Sequence, residues 1–304
     1  MNNEIKQLAI IGATASGKSD LAIKIAQKID AYILSIDSLS IYKEIDIVSA
    51  KPSHDELSLI KHFGIDVLHP NEHFSVDIFM NLYKKVHSIC QKEGKNLIIV
   101  GGTSFYLKSL MQGLSQLPEI TKEIALHVET KLANLESAHA FLSKIDPLYM
   151  QNISPNDNYR IEKMLLIYES SKLTPSEWFK ANPPKPIIEN LDIYDIDVER
   201  NILRERISKR TDKMLQNGLI DEVCTLEQKY TRLPHAMGSI GIVEVLEFLD
   251  GKVSKEEMLQ NISMHTAQLA KRQQTFNRTQ FDNITSAPLE ALEDVILNRV
   301  KTKC

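Results

Sequence analysis

The chain has 304 residues, 43% of them apolar and 25% charged, and a net charge of −4; that composition is ordinary for a globular protein with one sizeable domain and a smaller one. No apolar run approaches the roughly 18 residues of a membrane span, and the first residues lack a signal-peptide pattern, so neither a membrane association nor export is expected. The three cysteines, Cys90, Cys224 and Cys304, are odd in number and far apart, which fits a reducing cytoplasm and no metal site.

In chain order, the apolar run at 8–11 predicts a buried strand. It is followed at 12–19 by Gly-Ala-Thr-Ala-Ser-Gly-Lys-Ser and then by an amphipathic helix from Lys18 to about Ile29. This is the phosphate-loop pattern in the strand–loop–helix context that gives it meaning. Successive backbone N–H groups from Gly12, Ala13, Thr14, Ala15, Ser16 and Gly17 would face an anion at the positive end of the helix dipole. Lys18 would reach the outer phosphate and the Ser19 hydroxyl would ligate Mg²⁺. A second strand is expected at 32–36, ending in Asp37-Ser38. Ser75 is expected to cap a helix with Ile78, Leu82, Val86 and Ile89 on one face, and 97–100 reads as another buried strand closed by Gly101-Gly102-Thr103. In open parallel sheets ligands sit beyond the carboxyl ends of the strands, so the phosphate loop, Asp37-Ser38 and Thr103 should meet at one crevice.

After Leu117-Pro118 the pattern turns helical. Ser154-Pro155 is expected to open a helix with Ile161, Leu165 and Tyr168 inward, and Thr174-Pro175-Ser176-Glu177 reads as a capping box. The proline-rich stretch at 182–186 breaks the chain, 192–197 reads as a strand returning to the sheet, and amphipathic helices follow from Arg200. The expected architecture is an α/β phosphate-loop NTPase-like parallel sheet flanked by helices. Its discontinuous core would be 1–118 and 187–304, with an all-helical insertion at 119–186.

Asp37, at a strand end, could hold Mg²⁺ through water, act as a general base, or merely cap a turn. Thr103 follows two glycines and could contact a ligand or cap the next helix. Arg206 and Arg210, four apart on one helix face, could clamp a diphosphate. From Arg200 onward 16 Lys and Arg stand against 14 Asp and Glu, while residues 1–199 carry 20 against 26. The stretch 258–281 has no acid and holds Lys271, Arg272 and Arg278, a local basic surface compatible with a polyanion.

The ordered set GATASGKS (12–19), SIDSLSIY (35–42), SAKP (49–52), HFGID (62–66), FSVDIF (74–79), VGGTSFYLKSL (100–110), PNDNYRIEK (155–163), Arg200/Arg206/Arg210 and QLAKRQQTFNR (268–278) resembles the tRNA dimethylallyltransferases, from residue 7 to about 280. The resemblance implies transfer of a dimethylallyl group from dimethylallyl diphosphate to N6 of the adenosine 3′ to the anticodon. It implies that the loop grips the donor's diphosphate, that Ser19 carries Mg²⁺, that Arg210 neutralises the leaving group, that Asp37 takes the proton and that Thr103 holds the adenine. It also implies that the anticodon stem-loop meets Asp37, Ser38, Leu39, Ser40, Thr103, Tyr159, Arg160, Lys163, Lys271, Arg272, Gln273 and Arg278. The chain departs from the family pattern at Ala125, Lys163, Ile242-Val243 and Phe276. The competing expectations are an ATP-dependent small-molecule kinase on the same loop and a nucleotide-dependent RNA-binding switch. No dimer seam is evident, so a monomer is expected.

Overall fold

Apolar runs short enough for strands alternate with longer amphipathic segments, and this alternation sets the architecture. The computed structural model describes residues 5–302; Cys304 lies outside them. The chain divides into two compact units, Met1–Ser109 with Asn190–Cys304, and Leu110–Glu189.

In the first unit, β1 (Gln7–Gly12) leads through the phosphate loop into α1 (Lys18–Ile29). There follow β2 (Ala31–Ser35), α2 (His54–Leu59), β3 (His62–Phe63), α3 (Val76–Glu93), β4 (Asn96–Gly101) and α4 (Ser104–Gln112), whose last three residues belong to the second unit. The second unit holds α5 (Lys122–Leu132), α6 (Leu135–Ile145), α7 (Pro147–Met150), α8 (Asn158–Ser171) and α9 (Pro175–Ala181). The chain then returns to the first unit with β5 (Asp192–Asp197), α10 (Arg200–Gln216), α11 (Leu219–Tyr230), a 3-10 turn at His235–Gly238, α12 (Ile242–Leu249), α13 (Lys255–Gln280), β6 (Ile284–Pro288) and α14 (Leu289–Thr302).

The described strands form one six-stranded sheet in the order β3-β2-β4-β1-β5-β6, with every neighbouring pair parallel. A parallel sheet covered on both faces needs strands that are apolar throughout rather than alternating. β1 and β4 meet that need: Ile10, Ile11, Ile98 and Ile99 are fully buried. The register sets Ile11 opposite both Gly101 of β4 and Asp195 of β5, so the carboxyl ends of the three central strands lie side by side.

Ser75 caps α3 as expected, its hydroxyl accepting from the Ile78 amide at 3.4 Å. The capping box at Thr174 forms with Pro175 in the first turn. The start of α8 differs from expectation. Ser154 and Pro155 sit in a preceding turn closed by the Asp157 amide on the Ser154 carbonyl at 2.9 Å. Asp157 is the true cap, its carboxylate accepting from the Arg160 amide at 3.1 Å, because a carboxylate serves the exposed amides and the helix dipole together. Ile161 and Leu165 of this helix are buried; Tyr168 is half-buried and stands edge-on to Phe141.

The helical unit is also longer than the composition change at Leu117-Pro118 suggests. The amides of Ile187 and Ile188 both donate to the carbonyl of Leu110, at 2.8 and 3.1 Å, and these bonds join the outgoing and returning chains within one unit. The cysteines Cys90 and Cys224 carry free thiols. Among the described residues no helix is long and apolar enough to cross a membrane.

Ile10 is fully buried in the central strand. Ile10→Ala is expected to cost about 2–5 kcal/mol through lost transfer energy and an unfilled cavity, read as a lower urea midpoint at unchanged slope.

Candidate active site

The phosphate loop connects a buried strand to a helix through Gly12–Gly17, and its shape is fixed as much by distant residues as by its own. Gly17 has a φ of +93°, a left-handed conformation, and a Cβ there would lie 2.9 Å from Leu289 of α14. Arg206 of α10 donates to the Ser16 carbonyl at 3.2 Å, and one turn later Arg210 Nη1 donates to Thr14 Oγ1 at 3.1 Å. From α13, Gln273 Oε1 accepts from the Thr14 amide at 2.9 Å. Both arginines thus meet the loop from one helix face.

Asp37 follows β2. Its Oδ1 accepts from the amides of Leu39 and Ser40, at 2.8 and 3.0 Å, so the turn orients the carboxylate. Its Oδ2 has no partner among the described residues. Thr103 follows β4, its hydroxyl accepting from the Ser38 amide at 3.3 Å and lying 3.4 Å from Ser38 Oγ. One cavity is lined by Thr14, Lys18 and Ser19 of the loop, by Asp37, and by Arg210 and Gln273. The carboxyl ends of β1, β2 and β4 reach this cavity through the loop, Asp37 and Gly102, but the expected Ser38 and Thr103 are not among its lining residues.

Electrostatics in this cavity are dominated by burial. Lys18, whose ammonium donates to the Ala13 carbonyl at 2.9 Å, is lowered to about 8. Desolvation is the main cause, and the negative field of Asp37 and the positive field of Arg210 work against each other. Arg210 is also lowered by burial, with Asp37 opposing the shift. Asp195, within β5, is raised to about 6, chiefly by burial and in spite of a 2.9 Å bond from Asn277 Nδ2.

The expected RNA-facing residues fall into distinct settings. Lys271, Arg272 and Arg278 are exposed on α13 and form no ion pair among the described residues. Gln273, on the same helix, turns inward to the phosphate loop, against Gly102, where any Cβ would lie 2.4 Å from its amide nitrogen. Ser40 is buried and lines the cavity, and Leu39 packs against the apolar cluster of α11 and α12. In the helical unit, Tyr159 and Arg160 are exposed at the start of α8; Arg160 pairs with Asp157 at 3.4 Å, and Lys163 lies 5.3 Å over the Tyr159 ring.

Sequence reasoning gave no role to Asp195 or to Glu222. For the first, an acid inside the strand expected at 192–197, flanked by the apolar Tyr194 and Ile196, was a usable signal. Glu222 had none, since it stands within an ordinary amphipathic helix.

The family model described as "IPP transferase" matches residues 40–280. The chain belongs to the IPP transferase family. A tRNA dimethylallyltransferase of Sulfurimonas denitrificans is 72% identical over 96% of this chain and 98% of its own length, and one of a Sulfurovum species is 55% identical over 98% and 99%. Among solved structures, the full-length tRNA isopentenylpyrophosphate transferase of Bacillus halodurans is similar with a TM-score of 0.72 at 28% identity, over 99% of this chain and 97% of that one. A eukaryotic dimethylallyltransferase captured acting on tRNA has a TM-score of 0.82 at 25% identity, over 94% of this chain and 75% of that one.

Because the Lys18 value is depressed, its positive charge is held at neutral pH, half lost at about pH 8 and lost above it. Affinity for inorganic diphosphate, measured by calorimetry, is expected to weaken across the same interval. Lys18→Arg should abolish the break; a break that persists belongs to another group.

Proposed function

We propose that this chain transfers the dimethylallyl group of dimethylallyl diphosphate to N6 of the adenosine on the 3′ side of the anticodon in tRNA, releasing diphosphate. The observation that carries this reading is the shared cavity, where a phosphate cradle, two cations and a carboxylate with one unbonded oxygen face the same space. Family membership and the names of the relatives support it.

The chemistry follows from the arrangement. The N6 amine of adenine is a weak nucleophile because its lone pair is delocalised into the ring. Asp37 Oδ2 takes an N6 proton while the N–C bond forms, general-base help worth about 10²–10⁴-fold. The bond from the allylic carbon to oxygen breaks, and its electron pair leaves on the diphosphate. The loop, Lys18 and Arg210 line the cavity in which that charge develops, and their donors turn from the protein acceptors they now hold to the departing diphosphate. Thr103, tied to Ser38 beside Asp37, holds the base against the carboxylate. An adenine stacked in an anticodon loop cannot enter such a cavity, so the base is flipped out.

Mg²⁺ fits the donors present. The Ser19 hydroxyl lines the cavity and offers a hard oxygen, and would hold a small hard cation that takes most of its ligands from water and phosphate. When bound, the ion neutralises charge on the departing diphosphate.

The exposed cations of α13, and Tyr159 and Arg160 of the helical unit, supply the phosphate and stacking contacts for the anticodon arm. All of these roles lie within one chain, acting as a monomer in a reducing cytoplasm.

Incubation with unmodified tRNA and labelled dimethylallyl diphosphate, with ATP omitted, is expected to give isopentenyladenosine; ATP-dependent phosphorylation of a metabolite instead would favour a kinase. Asp37→Ala is expected to lower turnover by about 10²–10⁴-fold while prenyl diphosphate binding stays within a few-fold, and near-normal turnover removes Asp37 from the chemistry. Lys271→Ala combined with Arg272→Ala should weaken tRNA binding and reduce the steepness of its salt dependence by about one to two. An unchanged slope takes these residues off the RNA surface.

A further inference from the structure

Three successive backbone amides in the segment before the SAKP motif point at one carboxylate. Glu222 Oε2 accepts from Asp46 at 2.9 Å and from Ile47 at 2.7 Å, and Oε1 accepts from Val48 at 2.9 Å. Such a run of amides is a concave anion site, and here the chain supplies the anion itself. Glu222 lies in the first turn of α11, where the helix dipole favours negative charge. The last turn of α11 holds the same segment: Lys229 reaches both oxygens of Glu44 at 2.8 Å and the Tyr230 hydroxyl reaches one at 2.7 Å. Lys51, its side chain only 6% exposed, donates to the Tyr42 carbonyl at 2.7 Å and to Asp46 and Asp66 at 2.6 Å.

The clamped segment ends at the active site. The Ser49 carbonyl accepts from Arg210 Nη2 at 3.4 Å, while Nη1 of the same guanidinium donates to Thr14 Oγ1 at 3.1 Å. Ala50, next in sequence, is held at a φ of +47°, a conformation few non-glycine residues adopt without support. A guanidinium is a rigid fork, so the acceptor on one prong sets the direction of the other.

We infer that Glu222 is a positioning residue for prenyl transfer: by gathering the amides of Asp46, Ile47 and Val48 it fixes the Ser49 carbonyl, and through it the orientation of Arg210 across the phosphate loop. The inference rests on the reading that Arg210 neutralises the leaving diphosphate. Glu222 itself touches neither substrate.

Glu222→Gln tests this sharply, because it is isosteric yet turns one acceptor into a donor facing N–H groups. The single-turnover rate at saturating substrates is expected to fall about 10–100-fold, the scale of a displacement near 1 Å. The KM for tRNA should stay within about twofold, because uniform binding is untouched, and the thermal midpoint is followed as a control. In an Arg210→Ala background the same substitution should cost less than about twofold, since the two residues act as one unit. A near-normal rate for Glu222→Gln, or an undiminished loss in the Arg210→Ala background, overturns the inference. Should Glu222→Gln fold poorly, Glu222→Asp keeps the charge, withdraws the carboxylate, and is read by the same cycle. If Arg210→Ala alone turns over normally, the reading of Arg210 fails first, and the role of Glu222 falls with it.

Discussion

The active site depends on a phosphate loop shaped from outside itself. A loop between a strand and a helix offers amides to an anion, but nothing local fixes where the anion's charge will be met. Arg206 on the Ser16 carbonyl, Arg210 on Thr14 Oγ1 and Gln273 on the Thr14 amide all come from beyond the helical unit in sequence. Their helices α10 and α13 pack on each other and into the cluster that buries Leu203, Ile207 and Ala270 with the sheet. Closing so long a chain onto a short loop costs entropy. Apolar burial offsets that cost, since each fully buried aliphatic side chain contributes about 1.5–3 kcal/mol.

The same packing sets the electrostatics. Desolvation lowers Lys18 to about 8, with Asp37 and Asp195 opposing the shift and Arg210 adding to it. Two cations lining one cavity repel each other, and an anion bound between them would relieve that repulsion. On the proposed reading the leaving diphosphate is that anion, and the protein carries the unfavourable field in advance. The turn at Asp37 is anchored in the same way, and on the proposed reading it serves the proton. With Oδ1 committed to two amides, rotation of the carboxylate is blocked and Oδ2 keeps a fixed direction.

Much of this was legible in the sequence because it is encoded locally. The strand at 8–11, the loop pattern, the Ser75 cap and the strand at 192–197 are each specified within a few residues, and they recur in the structure within a residue or so. Elements stabilised by tertiary contact were not legible. β3 has only two residues, and β6, with half-buried and exposed positions in no clean alternation, takes its strand form from pairing with β5. The start of α8 was misplaced because Ser-Pro and Asp both favour helix starts, and only the turn between them decides which one caps. The convergence of strand ends followed from the parallel sheet itself, whereas the partners of Arg210 and the inward turn of Gln273 depend on packing across more than 150 residues.

α13 shows why an acid-free stretch could be read in two ways. Its period places Ala270, Gln273 and Asn277 inward and leaves Lys271, Arg272 and Arg278 in solvent. Asn277 is fully buried, gives its amide to Asp195, and has no partner for its own carbonyl among the described residues. An apolar residue there would pack more cheaply, but it would strand the partly buried carboxylate of Asp195, which is worse than leaving one amide oxygen unmet. One helix therefore carries exposed cations on one face and, a single turn apart on the other, contacts to the phosphate loop and to the strand beside it. A polyanion bound on the outer face, as proposed for tRNA, would bear on the same rod that holds the Thr14 amide, joining that face to the phosphate loop through a helix rather than a flexible connection.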